Sequence, residues 1–154
     1  MNHPWQQPSI LEWTQILLDS FRDRLGYELI DRKEDRKQQA ETLFKANFVV
    51  VSHGIQEDPI LNYGNQTALE LWVMNWQDFT QTPSRLTAEP VNREERAKML
   101  ATAKAQGYID NYQGVRIASN GKRFYIQQAI IWNLSKEGKK VGQAATFSDW
   151  KYLD

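Results

Sequence analysis

The sequence predicts a single α+β domain in which helices cover an antiparallel sheet. Apolar residues recur at helical spacing in the N-terminal part, and the period changes from about 3.6 to 2 residues after Gly107. The chain has 154 residues, the usual size of one domain, and no repeat, low-complexity tract or linker-like segment divides it. We therefore treat residues 1–154 as one unit.

Composition and charge exclude several classes of function. Lys and Arg together number 19, as do Asp and Glu, so no net field draws the chain toward phosphate backbones or anionic lipid. The lack of cysteine excludes disulfides, thiolate metal sites, cysteine nucleophiles and covalent attachment of haem or flavin through sulfur. No stretch approaches the ~20 apolar residues that span a bilayer, and no secretion signal begins the sequence. We expect a cytoplasmic protein that binds neither nucleic acid directly nor a membrane.

The N-terminal part is expected to form a helical extension, about residues 9–45. Ser9 can cap a helix whose apolar residues recur from Ile10 to Leu25 and form one stripe. The mixed-charge stretch 31–37 precedes further apolar residues at helical spacing, which predicts a second helix that is solvated at its start.

The middle of the chain predicts two strands followed by short helices. Residues 48–51 are a β-branched run, and residues 60–63 form a second short strand after a turn-rich segment. Asn65 is placed to cap a short helix, Gln66–Trp72, and residues 75–79 predict a further helical turn.

One longer helix follows. Asn92 with Glu95 three residues on is a capping box, and it predicts the helix Arg93–Gln106, which ends at Gly107. We expect Met99, Leu100 and Ala103 on its inner side.

The C-terminal third predicts an antiparallel meander. Residues 115–119 and 123–134 flank Asn120-Gly121, the dipeptide favoured where both central turn residues need positive φ. Strict alternation in the second of these strands places Phe124 and Trp132 on one face, and neither face is purely polar, so both are expected to be partly covered. Residues 141–150 predict the third strand.

This order of elements resembles the PAS fold, whose five-stranded antiparallel sheet holds a pocket against its helices. The segment 60–72, ILNYGNQTALELW, resembles the second strand and first short helix of PAS domains, where an asparagine caps the helix. Residues 121–126, GKRFYI, resemble the PAS turn into the fourth strand. The resemblance implies an α+β fold with a PAS-like five-stranded sheet, short helices on one face and extra N-terminal helices.

Longer segments resemble the MEKHLA family, a PAS-like group, from about residue 10 to the end. The matching segments are PSRLTAEP at 83–90, GYIDNYQGVRI at 107–117 and GQAATFSDW at 142–150. That family includes free-standing bacterial proteins, the type this chain resembles, and the C-terminal domain of certain plant homeodomain leucine-zipper regulators. The resemblance implies sensing or control of protein pairing, and it supplies no catalytic residues.

A PAS-like cavity would need a lining, and the chain offers many aromatic residues and several polar ones for it. The predicted lining is Trp72, Trp76, Phe79, Phe124, Trp132 and Phe147, with Asn65, Arg85, Asn133 and Gln143 as orienting polar groups. The alternative is that most of the aromatics are ordinary core and that Asn65 is merely a cap. Arg85 could hold a carboxylate or phosphate in bidentate fashion, or it could pair with Glu89.

His53 ends the first predicted strand, close to Glu57 and Asp58. Imidazole suits metal binding and proton transfer, but we favour a histidine satisfied by ordinary hydrogen bonds, and we predict no metal ligand or catalytic residue. Haem-binding PAS sensors often use a histidine on the longer helix, and Arg93–Gln106 contains none, which argues against haem. A noncovalently bound flavin or another small molecule remains open.

Three functions follow from these features. The leading one is a non-catalytic sensory domain whose bound small molecule shifts pairing with itself or another protein, with the N-terminal helix as a route of output. The second is a structural homodimerisation module with a filled core, and the third is a small enzyme using the same cavity. Because no phosphate loop, G-x-G-x-x-G motif, serine elbow or histidine-rich metal spacing is present, we predict that the chain is not an enzyme.

Overall fold

The computed structural model describes residues 3–88 and 93–153 and, within 93–106, the side chains of all residues except 93, 95, 96 and 100. The predicted fold class is confirmed: an antiparallel sheet carries short helices on one face and the N-terminal helices on the other. We call these the inner face and the outer face. The predicted capping box of Asn92 and Glu95, the inward position of Leu100 and the Glu89 alternative for Arg85 lie outside the described residues.

The helices and strands follow the predicted order. They are α1 (Pro8–Leu25), α2 (Arg36–Phe44), β1 (Val49–His53), β2 (Leu61–Gly64), α3 (Gln66–Trp72), α4 (Trp76–Phe79), α5 (Arg93–Gln106), β3 (Tyr108–Ile117), β4 (Arg123–Lys136), β5 (Lys139–Phe147) and β6 (Asp149–Tyr152). Two 3₁₀ turns, Pro4–Gln6 and Ser84–Thr87, accompany them.

The ends of the helices follow ordinary capping chemistry, with one correction. Asn65 caps α3 as predicted, and Asn75 caps α4: each side chain accepts a hydrogen bond from a backbone N–H of the first helical turn. Helix α1 instead begins at Pro8, and Ser9 lies inside it rather than at the cap. Proline is favoured at the first helical position because its missing N–H would have no partner there.

The sheet has the strand order β2-β1-β5-β4-β3, with β6 paired to β4. The strand predicted over residues 141–150 is divided at Ser148 into β5 and β6. Both pieces pair with β4, β5 along its second half and β6 along its first half. Among the described residues the sheet therefore has six strands: five follow one another in the order given, and β6 lies beside β4 in line with β5.

Strand β4 changes the face it presents at Gln128, contrary to the strict alternation predicted for it. Gln128 adopts φ +55°, and the pairing of β3 with β4 shifts register on either side of Tyr112. This irregularity is a β-bulge, which adds a residue to one strand. Phe124 therefore packs on the inner face, whereas Trp132 packs on the outer face.

The turn with positive φ at both central residues lies in a different hairpin from the one predicted. In the β3–β4 turn only Gly121 takes positive φ, at +83°, and Asn120 instead accepts a hydrogen bond from the backbone N–H of Lys122. The turn with positive φ at both central residues joins β4 to β5, where Glu137 has φ +53° and Gly138 has φ +79°. A two-residue loop of this kind matches the twist of the paired strands.

Helix α1 covers the outer face with an apolar stripe. Leu17, Leu18 and Phe21 are fully buried against Trp132 and Leu134 of β4. Burying each such side chain is worth roughly 1.5–3 kcal/mol, so α1 is part of the core and not an appendage. Within the described ranges, no helix is both long and apolar enough to cross a membrane.

Candidate ligand pocket

A cavity of about 110 Å³ lies on the inner face, between the sheet and the short helices. Its walls combine apolar side chains with a few polar ones, the usual character of a small-molecule site. The lining residues are Val51, Ser52, His53, Leu61, Trp72, Phe79, Ser84, Thr87, Ala88, Arg116, Ile131, Gln143, Ala144, Ala145 and Phe147.

One side of the cavity is formed by residues 83–88, which we call the crossing segment. It is joined at one end to Ile60 by a β-bridge from Pro83, and at the other to Arg116 by a bridge from Ala88. Ile60 lies beside β2 and Arg116 lies in β3, so the segment spans the distance between the two edges of the sheet. Next to Ala88, the carbonyl of Thr87 accepts a hydrogen bond from the indole N–H of Trp72 at 3.4 Å.

His53 and Gln143 form one polar part of the lining. They are paired across β1 and β5. His53 Nδ1 lies 2.8 Å from the carbonyl oxygen of Gly54, which requires a proton on Nδ1 and leaves Nε2 of the neutral ring as an acceptor. The amide nitrogen of Gln143 donates to Asn133 Oδ1 at 3.1 Å, and Asn133 in turn donates to the carbonyl of Ala103 at 3.4 Å.

Arg116 forms a second polar part and is the one cation of the lining. Its guanidinium is half-buried and lies 5.3 Å from the centre of the Tyr112 ring. Nη1 is 3.5 Å from Tyr112 Oη and 3.5 Å from the carbonyl oxygen of Val115, both at the outer limit of a hydrogen bond. No carboxylate of the described residues pairs with it, whereas Arg85 contacts one and Arg32 contacts two.

Four of the predicted lining residues reach the cavity together. Trp72 projects from α3 and Gln143 from β5. Phe124 stands directly behind Trp72, with the ring centroids 5.3 Å apart, and Asn133 supports Gln143 through the hydrogen bond described above. Phe79 and Phe147 of the predicted aromatic lining also reach the cavity.

Asn65 is fully buried away from the cavity, and both the oxygen and the nitrogen of its side-chain amide are hydrogen-bonded. Its carbonyl oxygen accepts from the backbone N–H of Ala68 and from that of Val50. Its amide donates to the carbonyls of Leu43 and Phe48. The side chain thus joins α3 to β1 and to the end of α2, a structural role larger than a simple cap.

The remaining predicted site residues lie elsewhere in the fold. Trp132 is fully buried on the outer face, where its indole N–H donates to the carbonyl of Leu17 at 3.2 Å. Trp76 packs edge-on against Tyr63, with the ring centroids 5.7 Å apart. Arg85 is exposed, and its Nε lies 3.2 Å from a carboxylate oxygen of Asp58.

Sequence reasoning did not select Arg116 as a site residue, although it lies in the segment 107–117 that carries the MEKHLA resemblance. Alternation along a strand would have placed it on the same face as Tyr112. What could not be read from the sequence is that Ala88 pairs with it and brings the crossing segment against this edge.

Solved structures similar to this chain share the PAS fold. A PAS domain from Colwellia psychrerythraea is 13% identical with a TM-score of 0.61, over 76% of this chain and 95% of that chain. A light-oxygen-voltage domain studied with a flavin analogue is 16% identical with a TM-score of 0.55, over 76% and 85%. An RNA-binding light-oxygen-voltage receptor is 17% identical with a TM-score of 0.60, over 82% of this chain and 35% of that longer one. At these identities the likeness shows the fold alone.

The sequence comparisons are more specific. No curated protein matches the chain. The model of the MEKHLA domain matches residues 11–152, from the first turns of α1 to the end of β6. The helices that cover the outer face are thus included in the match, together with the sheet and the cavity. The chain belongs to the MEKHLA domain family.

Proposed function

We propose that this MEKHLA domain is a non-catalytic sensory module that binds a small molecule in the inner-face cavity. The observation that supports it is the lining itself. Arg116 and the acceptor nitrogen of His53 are only partly used by other protein groups, yet they border aromatic walls. Half-buried polar groups beside apolar walls are the kind of groups that fix the orientation of a ligand in a small-molecule site.

The size of the cavity limits the ligand. Ligand pockets commonly measure roughly 300–1,000 Å³, and a space of 110 Å³ holds on the order of ten non-hydrogen atoms. A flavin, the class of ligand named for one of the similar structures, is far larger than this. The chain also has no cysteine to bond one. The residues present therefore do not fit a flavin, and we propose a smaller, noncovalent ligand.

A route from the cavity to the protein surface runs through β1 and β5. Next to His53, Ser52 points to the outer face and accepts a hydrogen bond from the indole N–H of Trp13 in α1 at 2.9 Å. Next to Gln143, Gly142 is so close to His53 that an added Cβ would lie 2.3 Å from the His53 carbonyl oxygen. A ligand that moves these strands would move α1, and we propose that α1 passes the change to a second copy or another protein in the cytoplasm.

A structural homodimerisation module is the second candidate, and the small volume of the cavity favours it. In that case the cavity is a packing defect and the exposed surfaces of α1 and the sheet do the pairing. An enzyme is the third candidate and has less support. Among the described residues, no group of three His, Asp or Glu side chains could hold a metal ion.

The two leading candidates differ in what native mass spectrometry and light scattering will detect. We expect protein purified from its own host to carry a small added mass that disappears on denaturation. Ala145→Phe should abolish that mass, because Ala145 lines the cavity between Val51 and Ile131. Ala101→Phe adds the same atoms to an exposed position of α5 and is the matched control. Bare protein that is always dimeric, in both variants, would support the pairing module instead.

A further inference from the structure

Arg116 carries an inference that rests on the proposed function and deepens it. A guanidinium has five N–H donors in a planar fork and stays charged at every physiological pH. Arg116 uses these donors on two contacts at 3.5 Å and on the face of Tyr112. Arg116 is half-buried, and a charge that is partly withdrawn from water is stabilised when an anion pairs with it.

Two other arginines of the described chain show how carboxylates can compensate such a group. The Arg32 side chain is largely buried, and its guanidinium lies 2.8 Å from the carboxylate of Asp19 and 3.5 Å from that of Glu28. Exposed Arg85 has Asp58 at 3.2 Å. Among the described residues, Arg116 has only a phenol and a backbone carbonyl as hydrogen-bond partners, and it is the guanidinium that lines the cavity. The missing carboxylate is therefore expected to come from the ligand.

The walls of the cavity require an apolar group on the ligand, in contrast to the charge that Arg116 requires. Trp72, Phe79 and Phe147 present aromatic surfaces to the cavity, with Trp72 in edge contact with both of the others at 6.0 and 6.2 Å. Such walls favour a flat apolar body. A cavity of 110 Å³ has room for one six-membered ring and a short substituent but not for two rings.

We propose that the ligand is a small aromatic monocarboxylate, with its carboxylate on Arg116 and its ring against Trp72, Phe79 and Phe147. Bidentate pairing with a carboxylate is the contact that the guanidinium fork matches best. The crossing segment adds the hydroxyl groups of Ser84 and Thr87 to the lining, although Thr87 already donates to the carbonyl of Ser84 at 2.7 Å. Arg116 is thus the residue that determines the charge of the ligand.

Calorimetric titration with benzoate tests this proposal, with benzamide as the uncharged compound of the same shape. We expect benzoate to bind at least about tenfold more tightly than benzamide. Arg116→Gln should weaken benzoate about 10- to 100-fold, the usual effect of losing a charge-assisted pair, and leave benzamide unchanged. Arg116→Lys keeps the charge without the planar fork, so its affinity for benzoate should lie between those of the wild type and Arg116→Gln. Arg22→Gln removes an exposed arginine of α1 and should change neither.

The outcomes separate this inference from the proposed function. If benzamide binds as well as benzoate and both are lost in Ala145→Phe, the cavity binds ligands but the carboxylate assignment is wrong. Benzoate binding that survives Arg116→Gln also overturns the assignment. If a panel of neutral and charged compounds of this size shows no binding at all, both the carboxylate assignment and the proposed ligand-binding function are wrong. NMR amide spectra test whether each variant is folded. If Arg116→Gln does not fold, Arg116→Lys takes its place in the titration.

Discussion

The burial of Trp132 leads to a quantitative prediction for Trp132→Phe. The indole is fully buried beneath α1, donates to the Leu17 carbonyl at 3.2 Å and meets Phe21 edge-on with the ring centroids 5.0 Å apart. Losing the hydrogen bond costs ~1 kcal/mol. The space left by the smaller ring costs a further ~1–2 kcal/mol. We expect the free energy of unfolding to fall by about 2–3 kcal/mol in total, a large part of the margin of a domain of this size.

Urea unfolding followed by circular dichroism measures this loss, and Trp5→Phe is the matched control. Trp5 is also buried, but its indole N–H has no hydrogen-bond acceptor among the described residues. The same change there removes an unsatisfied donor, so it should cost at least ~1 kcal/mol less than Trp132→Phe. Equal losses at the two positions would refute the role given to the Leu17 hydrogen bond. A change in ligand affinity without a loss of stability in Trp132→Phe would refute its placement on the outer face.

Three further predictions concern buried backbone and side-chain groups. Tyr63→Phe should leave the free energy of unfolding unchanged or raise it by up to ~1 kcal/mol, because the fully buried phenol lacks a hydrogen-bond partner in the described structure. Asn65→Ala should cost ~3 kcal/mol or more in urea unfolding, since it leaves two N–H groups and two carbonyls without their side-chain partner. Gly142→Ala should cost ~2 kcal/mol or more, because its Cβ would lie 2.3 Å from the His53 carbonyl oxygen and the strands must separate.

Each of these has an outcome that would contradict it. A marked drop in melting temperature for Tyr63→Phe would mean that the phenol has a partner, such as a buried water. A small effect of Asn65→Ala would reduce that side chain to an ordinary helix cap, worth ~1 kcal/mol. Wild-type stability of Gly142→Ala would show that β1 and β5 are farther apart than described.

The parts of the fold that were predictable from sequence depend on short-range chemistry. Asn65 caps its helix as expected, since the capping hydrogen bond links residues only three apart. The end of α5 at Gly107, where φ is +82°, follows from the same kind of local preference. The strand order in the sheet depends on pairings between distant segments, and the sequence pattern did not predict it.

The errors arise where tertiary contacts override local pattern. Strand β4 has apolar residues on both of its faces, so its sequence pattern does not mark the change of face at Gln128. The Asn120-Gly121 dipeptide favours a two-residue turn, but the hairpin closes with a longer loop in which the Ala118 N–H donates to the Lys122 carbonyl at 2.8 Å. Trp76 and Trp132 were expected at the pocket because they are large and aromatic, a property that does not distinguish the two faces of a sheet.

The site was only partly predictable for a related reason. Trp72 and Gln143 were chosen as a core-facing aromatic and a polar residue on a strand, and both line the cavity. Arg116 becomes significant only because described acidic side chains are absent from its surroundings, and such an absence is a property of the folded molecule. A sequence shows which charges exist but not which of them are left unpaired.

The position of α1 has a consequence for any protein that would use the outer face of the sheet. A partner seeking the surface around Trp132 and Leu134 competes with a helix of the same chain, whose local concentration is of the millimolar order typical of tethered segments. It would have to replace the buried surfaces of Leu17, Leu18 and Phe21 with equally apolar groups of its own. Weak partners are thereby kept off this face, and only one that mimics an amphipathic helix could exchange with α1.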